Sequence, residues 1–200
     1  MRLYLASRSP RRRELLTQMG VAFDTIIFRS GLRTDPQVDE VAHSGEAVLA
    51  YVERVARAKA DHGVNLLLER RLPLRPVLAA DTILEFAGTI IGKPADKADA
   101  AATLRRLSGH THRVLTGVAV AYQGRTEYVL SNSEVRFRQI DDEEIERYVL
   151  TGESVDKAGA YGIQGRAGLF IEYMAGSYTG VMGLPVCETG ELLKRFGWRF

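Results

Sequence analysis

The stretch 76–80, Pro76-Val77-Leu78-Ala79-Ala80, is an unbroken apolar run that ends in an acid, Asp81. A run this short and without polar alternation reads as a buried strand. The first forty residues supply a second strand and its helix. Residues 3–6 read as a short buried strand, and Ser9 as a helix cap with Pro10 at the first helical position. That helix carries Leu15, Leu16 and Met19 inward and stops at Gly20.

The pattern continues along the chain. A strand is expected over 21–28, a polar loop over 31–45 and a helix over 46–61. A hairpin over 83–91 turns near Gly88, and a helix over 96–107 ends at Ser108-Gly109. Strands 114–122 and 126–137 are joined at Gln123-Gly124. Asp141 or Asp142 caps a helix ending at Gly152, a glycine-rich loop covers 159–168, and a strand covers 169–174. Pro185 opens a last helix that closes near Phe196. Strand and helix alternate early and strands pair later, so the expectation is an α/β fold: a mixed twisted sheet with helices packed on it.

Composition excludes several classes. With 200 residues and 46% hydrophobic side chains the chain can bury a real core. A net charge of +2 is too mild to argue for a nucleic-acid partner. No apolar run approaches membrane-spanning length, and the start is too short and too soon basic for a signal peptide. The single cysteine, Cys187, allows no internal disulfide and fits a reducing, cytoplasmic setting. Its apolar surroundings predict a buried small residue.

Three features break local rules. Ser7-Arg8-Ser9-Pro10-Arg11-Arg12-Arg13 places positive charge in the first turn of a helix, where it opposes the dipole. Free amides, serine hydroxyls and arginines together suit a phosphate; the bland alternative is a solvated basic patch. Val48, Val52, Val55 and Lys59 share one helical stripe, so Lys59 must either snorkel outward or meet an anion. Asp81 closes a buried strand, where active sites of open α/β sheets gather. It could take a proton from water or hold a metal. A turn cap is the alternative, weakened because Ile83-Leu84-Glu85-Phe86 does not announce a helix.

Other signals are weaker. Gly92-Lys93-Pro94 is not a Walker loop, so Lys93 reads unaided as a surface turn. His110 and His112 alternate but lack a third ligand, which favours loop packing. Asp39-Glu40 is a metal-ligand pair or merely solvated. The acidic start Asp141-Asp142-Glu143-Glu144 serves the helix dipole, and Met174 and Met182 read as core.

Taken in order, several segments resemble the Maf family of nucleoside triphosphate pyrophosphatases. They are Ala6-Ser7-Arg8-Ser9-Pro10-Arg11-Arg12, Tyr51-Val52 through Ala58-Lys59-Ala60, Ala80-Asp81-Thr82, Gly92-Lys93-Pro94 and Leu107-Ser108-Gly109 with His112. Then follow Asp156-Lys157-Ala158-Gly159-Ala160-Tyr161-Gly162-Ile163-Gln164-Gly165, Gly176-Ser177-Tyr178 and Gly183-Leu184-Pro185. The resemblance covers nearly all of residues 1–200 as a single domain. It implies a fold similar to the inosine triphosphatase group, with two lobes around a cleft, and a homodimer. It implies a divalent cation, Mg²⁺ or Mn²⁺; Glu40, as the leading candidate, and Asp81 are the ligands expected for it. By the same resemblance Asp81 is the general base, and Ser7, Ser9, Arg11, Arg12, Lys59, Thr82, Lys93, Lys157 and Gln164 bind the nucleoside triphosphate. Arg11, Thr82 and Gln164 fall where substrate branches differ. Asp-Thr with Gly-Ile-Gln-Gly looks like the branch acting on dTTP and UTP; the 7-methyl-GTP branch is less similar. Thr179-Gly180-Val181-Met182 departs from the bulkier stretch that relatives often carry there. Two rivals stay open: a non-catalytic regulator, since the family has been linked with septum formation, and a phosphatase removing the terminal phosphate.

Overall fold

The computed structural model describes residues 1–28 and 38–200. The predicted loop over 31–45 therefore lies partly outside the described residues. Seven strands and six α-helices are described: β1 (Arg2–Leu5), α1 (Pro10–Gln18), β2 (Ala22–Thr25), α2 (Val48–Glu69), β3 (Val77–Phe86), β4 (Thr89–Ile91), α3 (Lys97–Leu107), β5 (Thr111–Tyr122), β6 (Arg125–Phe137), α4 (Asp142–Leu150), β7 (Ile171–Ala175), α5 (Tyr178–Met182) and α6 (Val186–Lys194). Single 3-10 turns occupy Ala158–Ala160 and Arg166–Phe170. The strand order is β2-β1-β3-β5-β6-β7, with β4 paired to β3. β1 pairs parallel with β2 and β3, whereas β3–β4 and β6–β7 are antiparallel, so the sheet is mixed as expected. No helix among the described residues is long and apolar enough to cross a membrane.

The chain divides into two compact units. The first holds residues 1–81, 116–130 and 183–200, and the second holds 82–115 and 131–182. In the first, Ala56, Ala60, Leu66 and Leu67 of α2 pack with Val77 and Ala79 of β3 and with Ala119 and Ala121 of β5. Small side chains on the helix let it lie close to the strands. Gly63 carries this furthest: a Cβ there would sit 2.6 Å from Val77 Cγ1. α2 runs on to Glu69, past the expected end near residue 61, and Gly63 is a close-packing position within it.

The second unit is built on Leu104 and Leu107 of α3, Ile145, Tyr148 and Val149 of α4, and an aromatic group of Phe137, Tyr161 and Phe170. Here the local signals hold. The Asp96 and Asp141 side chains accept from the amides of Asp99 and Glu144, capping α3 and α4. In the first unit, Gln123 and Gly124, both at positive φ, turn β5 into β6.

Three expectations change. β2 ends at Thr25 rather than continuing to residue 28. α5 had not been anticipated. Cys187 is exposed, not buried. Its helix turns Thr189, Leu192 and Leu193 inward, and at 100° per residue position 187 falls off that face.

Candidate active site

The basic helix start forms as expected. Ser9 caps α1, its hydroxyl accepting from Arg12 N at 3.4 Å, and Pro10 follows; no acid occupies the first turn. Ser7 Oγ accepts from Ser9 N at 3.1 Å and from Arg12 Nη1 at 3.3 Å. Arg12 Nε donates to Gly183 O at 2.8 Å, which ties the guanidinium to the loop before α6. Burial pulls the Arg12 pKa down, Asp81 pushes it back up, and Arg11 and Glu40 act in opposite senses more weakly. Asp81, Arg11 and Glu40 thus each lie within electrostatic reach of Arg12. Arg8 instead donates to Phe28 O, and Arg13 is exposed.

Lys59 does not snorkel. Its side chain is only 13% exposed, and Nζ lies 2.8 Å from Asp81 Oδ1 and 2.8 Å from Glu40 Oε2. A charge this far from water needs partners, and two carboxylates supply them. Asp81 is itself buried, and its Oδ2 has no hydrogen-bond partner among the described residues. A buried carboxylate oxygen left unpaired is costly, which marks a place where a substrate, water or cation would be welcome.

Asp81 is not at a strand's carboxyl end. It is the fifth of ten residues in β3, which continues to Phe86 and pairs there with β4. What was read as a boundary is a charged residue inside a strand, tolerated because Lys59 faces it. The expected link between strand end and active site therefore does not apply; the ion pair carries the signal instead.

Glu40 is held by residues that the sequence reading missed. Tyr51 Oη donates to Glu40 O at 2.8 Å. Arg54 donates to Asp39 O at 2.8 Å and to Val41 O at 2.9 Å, while bonding both carboxylate oxygens of Glu46. Three consecutive carbonyls are thus captured from α2. Tyr51, Val55 and Lys59 are spaced by four, so helical periodicity placed Tyr51 on the lysine's face. Burial, with the charges of Asp81 and Glu40 adding to it, pushes the Tyr51 pKa up to about 12. The Asp39 carboxylate engages His43 Nε2 at 2.8 Å.

No cluster of three or more His, Cys, Asp or Glu side chains suited to a metal occurs among the described residues. Glu40 and the unpartnered Asp81 Oδ2 form a two-carboxylate donor set. That set fits a Mg²⁺-like ion only if phosphate oxygens complete its coordination, the usual habit of that ion.

The remaining predicted residues belong to the second unit. Thr82 is half-buried in β3 beside Asp81, and Lys93 is exposed in the turn after β4. Gly159 N donates to Gly92 O at 3.0 Å, joining the Lys93 turn to the loop that carries Lys157 and Gln164. Lys157 Nζ is turned onto loop carbonyls, donating to Glu153 O and to Val155 O. Gln164 is exposed on a turn closed by Gly165 N to Gly162 O at 3.0 Å. His110 and His112 do not share a role. His110 is exposed and bonds Ser108 O, whereas His112 is buried in β5 with Nε2 2.8 Å from Tyr161 Oη.

The family model described as Maf-like protein matches residues 2–196. The chain is 72% identical over 199 residues to a dTTP/UTP pyrophosphatase of Dechloromonas aromatica, covering 100% of this chain and 99% of that protein. It is 61% identical to one from Aromatoleum aromaticum (98% and 96% covered) and 52% identical to one from Cupriavidus metallidurans (99% and 98% covered). Among solved structures it is similar to the Staphylococcus aureus Ham1 protein at a TM-score of 0.49 and 15% identity, covering 98% of this chain and 97% of that one. With the family match spanning residues 2–196 and full-length identities this high, the chain belongs to the Maf family.

Proposed function

We propose that this chain hydrolyses nucleoside triphosphates to the monophosphate and pyrophosphate, with dTTP and UTP as preferred substrates. The observation that carries the reading is Asp81: a buried carboxylate with one oxygen on Lys59, the other unpartnered, and Arg12 within electrostatic reach. Full-length relatives named dTTP/UTP pyrophosphatase support the choice of substrate.

The residues divide the work as follows. The amides at the start of α1, the hydroxyls of Ser7 and Ser9, and Arg11 and Arg12 take phosphate oxygens. Lys59 shifts part of its charge from Asp81 to the incoming phosphates, which leaves Asp81 able to accept a proton. A water attacks the α-phosphorus and passes its proton to the Asp81 carboxylate. The bond between the α-phosphorus and the bridging oxygen breaks, and pyrophosphate leaves with its charge offset by the arginines and lysines. A Mg²⁺ or Mn²⁺ ion held by Glu40 and Asp81 would supply further neutralisation of the triphosphate. Lys93 and Lys157 are assigned to phosphate, and Arg11, Thr82 and Gln164 to base selection, on the family resemblance. The Gln164 amide offers both a donor and an acceptor, which suits the O4 and N3–H of uracil or thymine. A homodimer and a cytoplasmic location belong to the same proposal.

The test is one assay with two readouts. Purified protein is given Mg²⁺ or Mn²⁺ and a panel of standard and modified triphosphates, and pyrophosphate and orthophosphate are measured separately. Pyrophosphate release, fastest from dTTP and UTP, is expected. Orthophosphate as the first product, or nucleotide binding without turnover, would overturn the reaction. Preference for 7-methyl-GTP would overturn the substrate assignment alone.

A further inference from the structure

The turn that displays Gln164 is held on both sides. Gly165 N donates to Gly162 O at 3.0 Å, closing residues 162–165 into a turn with Ile163 and Gln164 at its corners. Immediately before it stands Tyr161, 5% exposed, whose hydroxyl lies 2.8 Å from His112 Nε2 in β5. The Phe137 ring packs edge-on against both, at 4.9 Å from each ring centroid. Immediately after the turn, Arg166 N donates to Glu153 Oε2 at 2.9 Å. Glu153 comes so close that a Cβ on Gly165 would lie 2.2 Å from its Oε2, so a larger residue there would push the carboxylate aside. The loop leading in is seated as well, since a Cβ on Gly159 would meet Leu84 Cδ1 at 2.4 Å.

This is more support than an exposed surface turn needs. The His112–Tyr161 bond is also expensive. His112 Nδ1 is buried with no hydrogen-bond partner among the described residues, so holding this ring here forfeits a hydrogen bond. A costly polar group fixed beside a short turn points to a demand for exact placement.

We propose that Glu153 and the His112–Tyr161 pair are positioning residues for base selection, fixing the turn so that the Gln164 amide meets the nucleobase edge in a single pose. The chemistry explains the demand. Uracil offers an acceptor at O4 and a donor at N3, while cytosine offers a donor at N4 and an acceptor at N3. A glutamine amide can match either edge by rotating through half a turn. It discriminates only where its surroundings favour one orientation over the other, and those surroundings meet the amide in a constant way only if the turn that carries it is held in place. The inference rests on the assignment of Gln164 to base recognition made above.

The experiment measures kcat and KM for UTP and CTP in Gln164→Ala, Glu153→Ala, Glu153→Gln and Tyr161→Phe, with thermal unfolding of each variant. Gln164→Ala is expected to lower the UTP-to-CTP ratio of kcat/KM by about tenfold, the scale of losing a substrate-directed hydrogen bond. Glu153→Ala and Tyr161→Phe should each lower that ratio at least about threefold, chiefly through a raised KM for UTP. Glu153→Gln keeps an acceptor for Arg166 N and should retain the wild-type ratio. If Gln164→Ala shifts the ratio and neither Glu153→Ala nor Tyr161→Phe does, the positioning role is wrong and the assignment of Gln164 survives. If Gln164→Ala leaves the ratio unchanged, the assignment itself fails and takes this inference with it. Equal losses on both nucleotides that track a lower melting temperature would show mere scaffolding and also overturn the proposal. Should Glu153→Ala not fold, Tyr161→Phe, which removes one oxygen, decides alone.

Discussion

The ammonium of Lys59 sits 2.8 Å from Oδ1 of Asp81, and this pair joins the second helix to the middle of the third strand inside the first unit. Neither residue is stable there alone. A buried charge that faces only apolar neighbours is costly, and here each residue supplies the other's counter-charge. Together, with Glu40 as a third member, they keep a charged group poised away from bulk water. Ion clusters of this kind contribute little net stability for their desolvation cost. Their presence is better explained by chemistry.

Replacing Asp81 with Asn tests that chemistry directly. The amide keeps the shape but accepts protons poorly, so kcat for UTP should fall by about 10²–10⁴-fold, the range for loss of a general base. Lys59 retains Glu40 as a partner, so circular dichroism and cooperative unfolding should persist. Most of the wild-type activity surviving in a folded Asp81→Asn protein would remove Asp81 from the role of base.

Lys59→Met makes a complementary test. It leaves Asp81 and Glu40 facing one another without the cation that both now contact. The variant should lose about 1–3 kcal/mol of stability at neutral pH, less than a fully buried broken pair because Glu40 is half-exposed. Adding Mn²⁺ should then raise its melting temperature more than that of the wild type, since the ion takes the ammonium's place between two carboxylates. An equal or smaller rise in the variant would argue against Glu40 and Asp81 as a cation-binding pair.

Much of this was readable beforehand, and the failures have physical causes. Caps and turns are local, so Ser9-Pro10, Asp96, Asp141 and Gln123-Gly124 each placed an element end correctly. The Lys59 stripe was visible in the spacing of Val52 and Val55, but its partner was not, because Asp81 lies 22 residues away. Asp81 looked like a strand end because a charge seldom sits inside a buried strand; only the lysine across from it makes that possible. The second helix was expected to end near residue 61 and runs on to Glu69, because the packing of Gly63 against Val77 that accompanies its last turns is a long-range contact with no local signal. The capture of the carbonyls of residues 39–41 by Tyr51 and Arg54 was hidden for a further reason: backbone acceptors carry no side-chain signature.

Gly63 yields a stability prediction of its own. Its backbone is ordinary helix, so alanine has the better intrinsic propensity there by about 1 kcal/mol. Yet the added methyl would stand 2.6 Å from Val77 Cγ1 and 3.5 Å from Ala6 Cβ, and β3 is buried and tightly packed at that point. Overpacking of this kind costs about 1–3 kcal/mol. Gly63→Ala should therefore be net destabilising, with a lower urea midpoint and an unchanged slope. A double variant, Gly63→Ala with Val77→Ala, should recover part of the loss by removing the Cγ1 contact. A single variant more stable than wild type would mean that α2 can move away from β3 at no cost.

His112 makes stability depend on pH in a defined window. Burial lowers its pKa from 6.5 to about 4, so the folded chain holds the ring neutral where the unfolded chain would protonate it. Between about pH 6.5 and pH 4 the unfolded state binds more protons at this site, so stability falls as pH drops through that interval. The contribution is fully present above the unfolded value and is lost below the folded one. A shift of this size corresponds to about 3 kcal/mol across the window, at roughly 1.4 kcal/mol per unit. In His112→Gln the titration is removed while a side chain able to reach the Tyr161 hydroxyl remains. Urea unfolding at pH 7 and pH 4.5 should therefore show a larger drop for wild type than for the variant, even though the variant starts from a lower midpoint at pH 7. Parallel pH dependences in the two proteins would mean that His112 is protonated, or solvated, in the folded chain.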